Sequence, residues 1–144
     1  MGGRDVTISD AGDHRELTAL VSLLYAVLDE RRFDELDTVY SHDAVLDFPT
    51  ARMVGLAEIE RVARQRADRY GEMQHFTTDV LVQLDGDRAT LRTNHLAVHV
   101  HRRGGTSEHY DAGVVHHFEA RRTPVGWRLC RGRAQVVWTS GHPA

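Results

Sequence analysis

Histidine recurs in this chain where strands are expected. His75 stands early in the run MQHFTTDVLVQLDGDRATLRTNHLAVHVHRR, and His95, His99 and His101 follow on its returning half. An unperturbed imidazole titrates near pH 6.5, so it can accept or donate a proton around neutrality. A histidine at the entrance of a mostly apolar strand, answered by others on the next strand, therefore offers acid–base chemistry within the fold. The i, i+2 pair His99 and His101 shares one strand face, and His116 or His117 could join it as metal ligands. No Cys/His spacing of a structural zinc site accompanies them, and no metal is expected.

Other polar positions invite the same question. Tyr25 flanks the apolar stripe of the first expected helix and can bring a phenol near Asp29. Tyr110 shares strand parity with Ala112, Val114 and Phe118, and could serve as an acid or a carbonyl hydrogen-bond donor. Asp79 reads as a polar strand residue beside Thr77. Arg131 and Arg133 could meet an anionic substrate, although paired surface charge suits them better. Cys130, the single cysteine, reads as a small buried hydrophobe in a strand. Trp138, Phe48, Phe76, Met53 and Leu56 would form the apolar mouth of a small-molecule pocket.

These residues need elements to position them. Leu17, Leu20, Val21, Leu24 and Leu28 recur at helical spacing, with Asp13 as expected cap and Glu16 three residues on. A short helix follows over Phe33 to Tyr40, then a strand from Ala44 to Phe48 stopped by Pro49. The segment ARMVG reads as a turn before a third helix, Leu56 to Tyr70. Beyond Glu72 the pattern is strand-like, with turns at Leu84-Asp85-Gly86-Asp87, Arg102-Arg103-Gly104-Gly105 and Thr123-Pro124-Val125-Gly126. In the first long strand Phe76, Val80, Val82 and Leu84 share one parity and are expected to be buried. In the second, Leu91, Thr93, His95, Ala97, His99 and His101 share one face, and Leu96, Val98 and Val100 the other. A run of helices followed by a run of strands indicates an α+β domain. The expected division is a flexible N-terminus, 1–12, and a single domain, 13–139.

The 144 residues suffice for one core. With 41% apolar residues, 27% charged and a net charge of −3, there is no basic stripe to bind nucleic acid. Arg61, Arg64, Arg66 and Arg69 are interleaved with Glu58, Glu60 and Asp68, which reads as a solvated helix face. The start, MGGRDVTISDAGDH, has no apolar signal region, and no stretch approaches the roughly 18 apolar residues of a membrane span. No membrane contact and a cytoplasmic location are expected.

The element order, with YAVLDERRFDELDTVYSHDAVLDFP and DGDRATLRTNHLAVHVHRR, resembles the nuclear transport factor 2-like superfamily over about Asp13 to Trp138. The likeness is greatest to its SnoaL-like and scytalone dehydratase-like branches. It implies an α+β barrel, a cone-shaped curved antiparallel sheet with three helices packed on its concave face. Scytalone dehydratase ends its first helix in an aspartate, a short charged turn and an aromatic, as Leu28-Asp29-Glu30-Arg31-Arg32-Phe33 does here. Its catalytic histidine in a Gln-His-Phe context is similar to Gln74-His75-Phe76, and a second active-site histidine falls on His99. The resemblance thus implies Asp29, His75 and His99 as catalytic residues, working without metal or cofactor. The family's two water-holding tyrosines fall on Leu28 and Phe48, and its pocket asparagine near Val114. The expected substrate-binding positions are Tyr25, Phe48, Met53, Tyr110, Val114 and Trp138.

The expected activity is that of a dehydratase, removing water from a small, hydrophobic, oxygenated substrate such as a cyclic or polyketide-like hydroxy-ketone. A SnoaL-like cyclase or isomerase, or a binding module without turnover, are the alternatives. A homodimer through the sheet is expected to cover Leu96, Val98 and Val100.

Overall fold

A computed structural model of the chain describes residues 8–144. Helix α1 spans Ile8–Asp29. Leu17, Leu20, Val21, Leu24 and Val27 recur at the three- and four-residue spacing that lines one helical face, and all are buried. The helix starts earlier than expected, so residues 8–12 are helical, while 1–7 lie outside the described residues. Asp13 is consequently no cap. Its carboxylate accepts two hydrogen bonds from the Arg122 guanidinium, at 2.9 and 2.8 Å, and one from the Trp127 indole at 3.0 Å. Those bonds hold its pKa below the usual carboxylate value. Glu16, the expected partner in a capping box, instead accepts the Trp127 backbone N–H at 3.2 Å. Both acids tie α1 to the final hairpin.

The other end of α1 closes in a Schellman motif. The Arg31 N–H donates to Leu28 and the Arg32 N–H to Val27, with Arg31 in the left-handed region at φ 58°. The Arg31 guanidinium then donates to the carbonyls of Ala67 and Gly71. The helix end that carries Asp29 is thereby fixed to the segment leading into the long strands.

A 3-10 helix, Phe33–Thr38, leads to β1, Tyr40–Phe48. The ARMVG segment is not a turn. Ala51–Val54 forms β2, paired antiparallel with β1. Helix α2, Leu56–Arg69, precedes β3, Met73–Asp85; β4, Arg88–Val100; β5, His109–Thr123; and β6, Gly126–Ser140. The curved, unclosed sheet has the order β2-β1-β6-β5-β4-β3. All neighbours are antiparallel except β1 and β6, which run parallel. The sheet wraps around helices α1 and α2, as expected for the α+β cone. No helix among the described residues is long and apolar enough to cross a membrane.

Bulges decide which side chains face the core, because one extra residue reverses a strand's parity. In β3 the register slips between Thr78 and Leu81, where Asp79 takes φ 55°. His75 and Thr77 therefore point inward before the bulge, and Val80, Val82 and Leu84 after it. Phe76, expected to share the buried face of Val80, is instead on the outside and 47% exposed. Asp79 itself is exposed, accepting hydrogen bonds from Thr78 and Asn94. In β6 one extra residue falls between the partners of Gly113 and Val114, which are Trp138 and Val136. That bulge turns Trp138 outward over Gly113, where any Cβ would collide with the indole.

Candidate active site

The cone encloses a cavity of about 410 Å³ between α1, α2 and the concave face of the sheet. Its walls are apolar, from Leu24, Leu46, Ile59 and Met73 among others, with a few polar groups converging inside.

Asp29, in the last turn of α1, meets His75, the third residue of β3. Asp29 Oδ1 lies 2.5 Å from His75 Nδ1, and Asp29 Oδ2 accepts the His75 backbone N–H at 2.9 Å. The His75 side chain is 6% exposed and that of Asp29 22%. With Nδ1–H donating to the carboxylate, Nε2 is the free nitrogen of a ring that lines the cavity. The carboxylate fixes the tautomer and would stabilise an imidazolium formed by proton uptake at Nε2.

Three more histidines line the same cavity. His95, opposite Thr77 in the β3–β4 register, has its ring 5.1 Å from that of His75 and 4.3 Å from that of Tyr25. Its Nδ1 is buried without a hydrogen-bond partner among the described residues. His99 Nδ1–H donates to the Tyr110 carbonyl at 3.1 Å, which leaves Nε2 as an acceptor. His116 Nδ1 lies 3.5 Å from the Tyr25 hydroxyl. Burial is the main reason that all three resist protonation, their pKa values dropping to about 2 for His95 and about 4 for His99 and His116. Burial likewise raises the Tyr25 phenol well above its ordinary value, so it stays a neutral donor. The interior therefore offers one carboxylate-backed imidazole surrounded by neutral hydrogen-bonding rings.

Of the other positions singled out in the sequence, Tyr25, Phe48, Met53, Tyr110 and Val114 line the cavity. Trp138 does not. The β6 bulge leaves it 49% exposed on the outer face, and Val136 takes the inward place. Phe76 and Leu56 are also absent from the lining, Leu56 packing partly buried against the core. His101 sits beyond the lining, where its Nε2–H donates to the His142 carbonyl at 2.7 Å. Cys130 is buried, and desolvation raises its thiol pKa, which disfavours the reactive thiolate. Among the described residues no group of three or more His, Cys, Asp or Glu side chains is placed to hold a metal ion.

His116 and the α2 arginines were missed as cavity residues. For His116 a signal existed, since it shares parity with Ala112, Val114 and Phe118. For Arg66 and Arg69 there was none, because charge pattern alone does not distinguish a helix edge at a cavity mouth from one in solvent.

The comparisons with known proteins bear on the family and the fold. A family profile described as a SnoaL-like domain matches residues 9–133. The chain belongs to the SnoaL-like family. An uncharacterised relative, Rv2910c of Mycobacterium tuberculosis, is 26% identical over 128 residues, covering 88% of this chain and 86% of the relative. A scytalone dehydratase-like protein of Novosphingobium aromaticivorans superposes with a TM-score of 0.85 at 12% identity, over 94% of this chain and 91% of that one. The hexachlorocyclohexane dehydrochlorinase LinA-type3 of Novosphingobium barchaimii superposes with a TM-score of 0.79 at 14% identity, over 93% and 91%. At such identities the superpositions establish the fold of this SnoaL-like domain, the nuclear transport factor 2-like cone.

Proposed function

We propose that the protein is a lyase that eliminates water from a small, hydrophobic hydroxy-ketone, cyclic or polyketide-like, using Asp29 and His75. The observation that carries this reading is the double grip of Asp29 on His75 at the wall of an otherwise apolar cavity. His75 Nε2 takes the proton from the carbon beside the carbonyl. The C–H electron pair becomes the new C=C bond, the C–O bond breaks, and the hydroxyl leaves as water with a proton returned by the imidazolium. Asp29 stabilises that imidazolium while it exists. His99 and Tyr25 hydrogen-bond the leaving and carbonyl oxygens. His99 is better suited to accepting such a bond than to acting as a second acid, since its protonation is resisted down to about pH 4. Two of the structural neighbours are named for eliminations, of water and of hydrogen chloride, which is consistent with such chemistry in a cone of this shape.

Steroid-type isomerisation through a carboxylate on the early strand is less consistent with the site. Phe48 occupies the cavity position there, and Asp47 is paired with Arg52 at 3.4 Å. The elimination reading is tested by incubating the protein with a panel of β-hydroxy-ketones in D₂O and following enone formation and α-deuteration by NMR. His75→Ala is the control. Enone formation that depends on His75 is the expected result. A product that keeps its oxygen would make the protein a cyclase, and binding with neither exchange nor product would make it a non-catalytic carrier.

The protein is further proposed to act as a homodimer. Phe76, Leu96 and Trp138 lie on the outer face, in one row across β3, β4 and β6, with Gly113 of β5 between the last two.

A further inference from the structure

Helix α2 carries four arginines, and the fold divides them. Arg61 pairs with Glu58 at 3.7 Å and Arg64 with Glu60 at 3.1 Å, on the side turned to solvent. Arg66 and Arg69 instead line the cavity, and among the described residues no carboxylate lies within 4.0 Å of either guanidinium. The solvated helix face read from the sequence therefore holds for half of the cluster. Arg131 and Arg133, the arginines first considered for an anionic substrate, lie exposed on β6, opposite Glu119 and His117.

Arg66 is set against the apolar wall. Its Cζ is 6.0 Å from the centroid of the Phe48 ring, which also lines the cavity. The residue as a whole is exposed toward the mouth, yet its guanidinium is crowded enough that desolvation lowers its pKa, with Arg69 adding to the effect. Its charge also reaches inward, disfavouring protonation of His95, His99 and His116. Among the described residues no aspartate or glutamate lines the cavity, and Asp29, behind the His75 ring, is engaged by that histidine. The mouth thus holds a cation whose counter-charge the described residues do not supply.

Building on the elimination reading, we propose that the substrate carries a carboxylate, and that Arg66 binds it at the cavity mouth while the reacting carbon lies deeper, toward His75. A planar guanidinium binds a carboxylate through two parallel N–H bonds, and such charge-assisted pairs are about twice as strong as neutral hydrogen bonds. Arg69, on the same helix edge, adds long-range attraction. The substrate class is then a hydroxy-keto acid with an apolar ring or chain, oriented acid outward.

Binding tests this without turnover. 2-Naphthoate and 2-naphthamide, alike in shape and different in charge, are titrated calorimetrically into the full chain. The naphthoate is expected to bind at least about tenfold more tightly, the share of one charge-assisted contact. Arg66→Gln is expected to abolish that preference, weakening the naphthoate far more than the naphthamide, and Arg66→Lys to restore part of it. In the unsubstituted protein, added salt should weaken the naphthoate and not the naphthamide. Equal affinities, a preference that survives in Arg66→Gln, a salt-independent preference, or no saturable naphthoate binding would each overturn the proposal. His75→Ala should keep the preference, so failure of the elimination chemistry and failure of anion recognition give different results.

Discussion

Asp29 holds His75 at two points, the ring through Nδ1 at 2.5 Å and the backbone N–H at 2.9 Å. A carboxylate that binds both the side chain and the main chain of one residue sets the position of the ring as well as its tautomer. The pair joins the end of α1 to the start of β3, elements that are 46 residues apart at the contact.

His75→Ala is expected to lower turnover by about 10²–10⁴, the usual share of general acid–base catalysis, while the fold persists. Asp29→Asn keeps the volume but removes the charge that stabilises the imidazolium, so it should slow the reaction as well. Full activity of His75→Ala on the true substrate would refute the mechanism.

Arg31→Gly separates positioning from stability. Glycine relieves the cost of the left-handed conformation but removes the guanidinium that grips the Ala67 and Gly71 carbonyls. We expect a melting temperature close to that of the parent and a kcat lower by about tenfold, because Asp29 is held less firmly. An unchanged kcat would mean that the clamp has no part in positioning Asp29.

The buried histidines make stability depend on pH. Between pH 6.5 and about 4 the unfolded chain takes protons on His99 and His116 that the folded chain resists. Their contribution is therefore complete above pH 6.5 and is lost as the pH falls through this window, by up to about 1.4 kcal/mol per unit for each group. His95, neutral down to about pH 2, adds in the same direction. Urea midpoints at pH 7 and pH 5 measure the effect, and equal midpoints would contradict the burial of these rings.

Gly132 faces the core, where an added Cβ would lie 2.8 Å from Leu46 and 3.2 Å from Phe118. Gly132→Ala should cost about 1–3 kcal/mol through overpacking, read as a lower denaturation midpoint. A neutral result would show that β6 can shift there.

The apolar row on the outer face predicts a dimer in sedimentation equilibrium at micromolar concentration. Phe76→Asp, on the surface of the single chain, should shift it to monomer without unfolding it. A parent protein that sediments as a monomer counts against the interface.

Much of this protein was legible in its sequence because the signals are local. Leucine spacing marked α1 and the Asp85-Gly86 turn joined β3 to β4, whereas the meeting of Asp29 with His75 was implied by the family resemblance and not by any local pattern. Arg66 was visible as a charge on a helix, but whether it met glutamates or a cavity depended on how α2 lies against the sheet. Asp13 looked like a cap until its partners, Arg122 and Trp127, were brought over 100 residues of chain. Phe76 was assigned inward by strand alternation and Trp138 to the mouth of the pocket, and bulges at Asp79 and Val137 placed them outside. A bulge is set by cross-strand register, which no single strand encodes. The neutral state of His95, His99 and His116 has the same origin, since composition supplies the imidazoles and only tertiary burial removes the water that would let them charge.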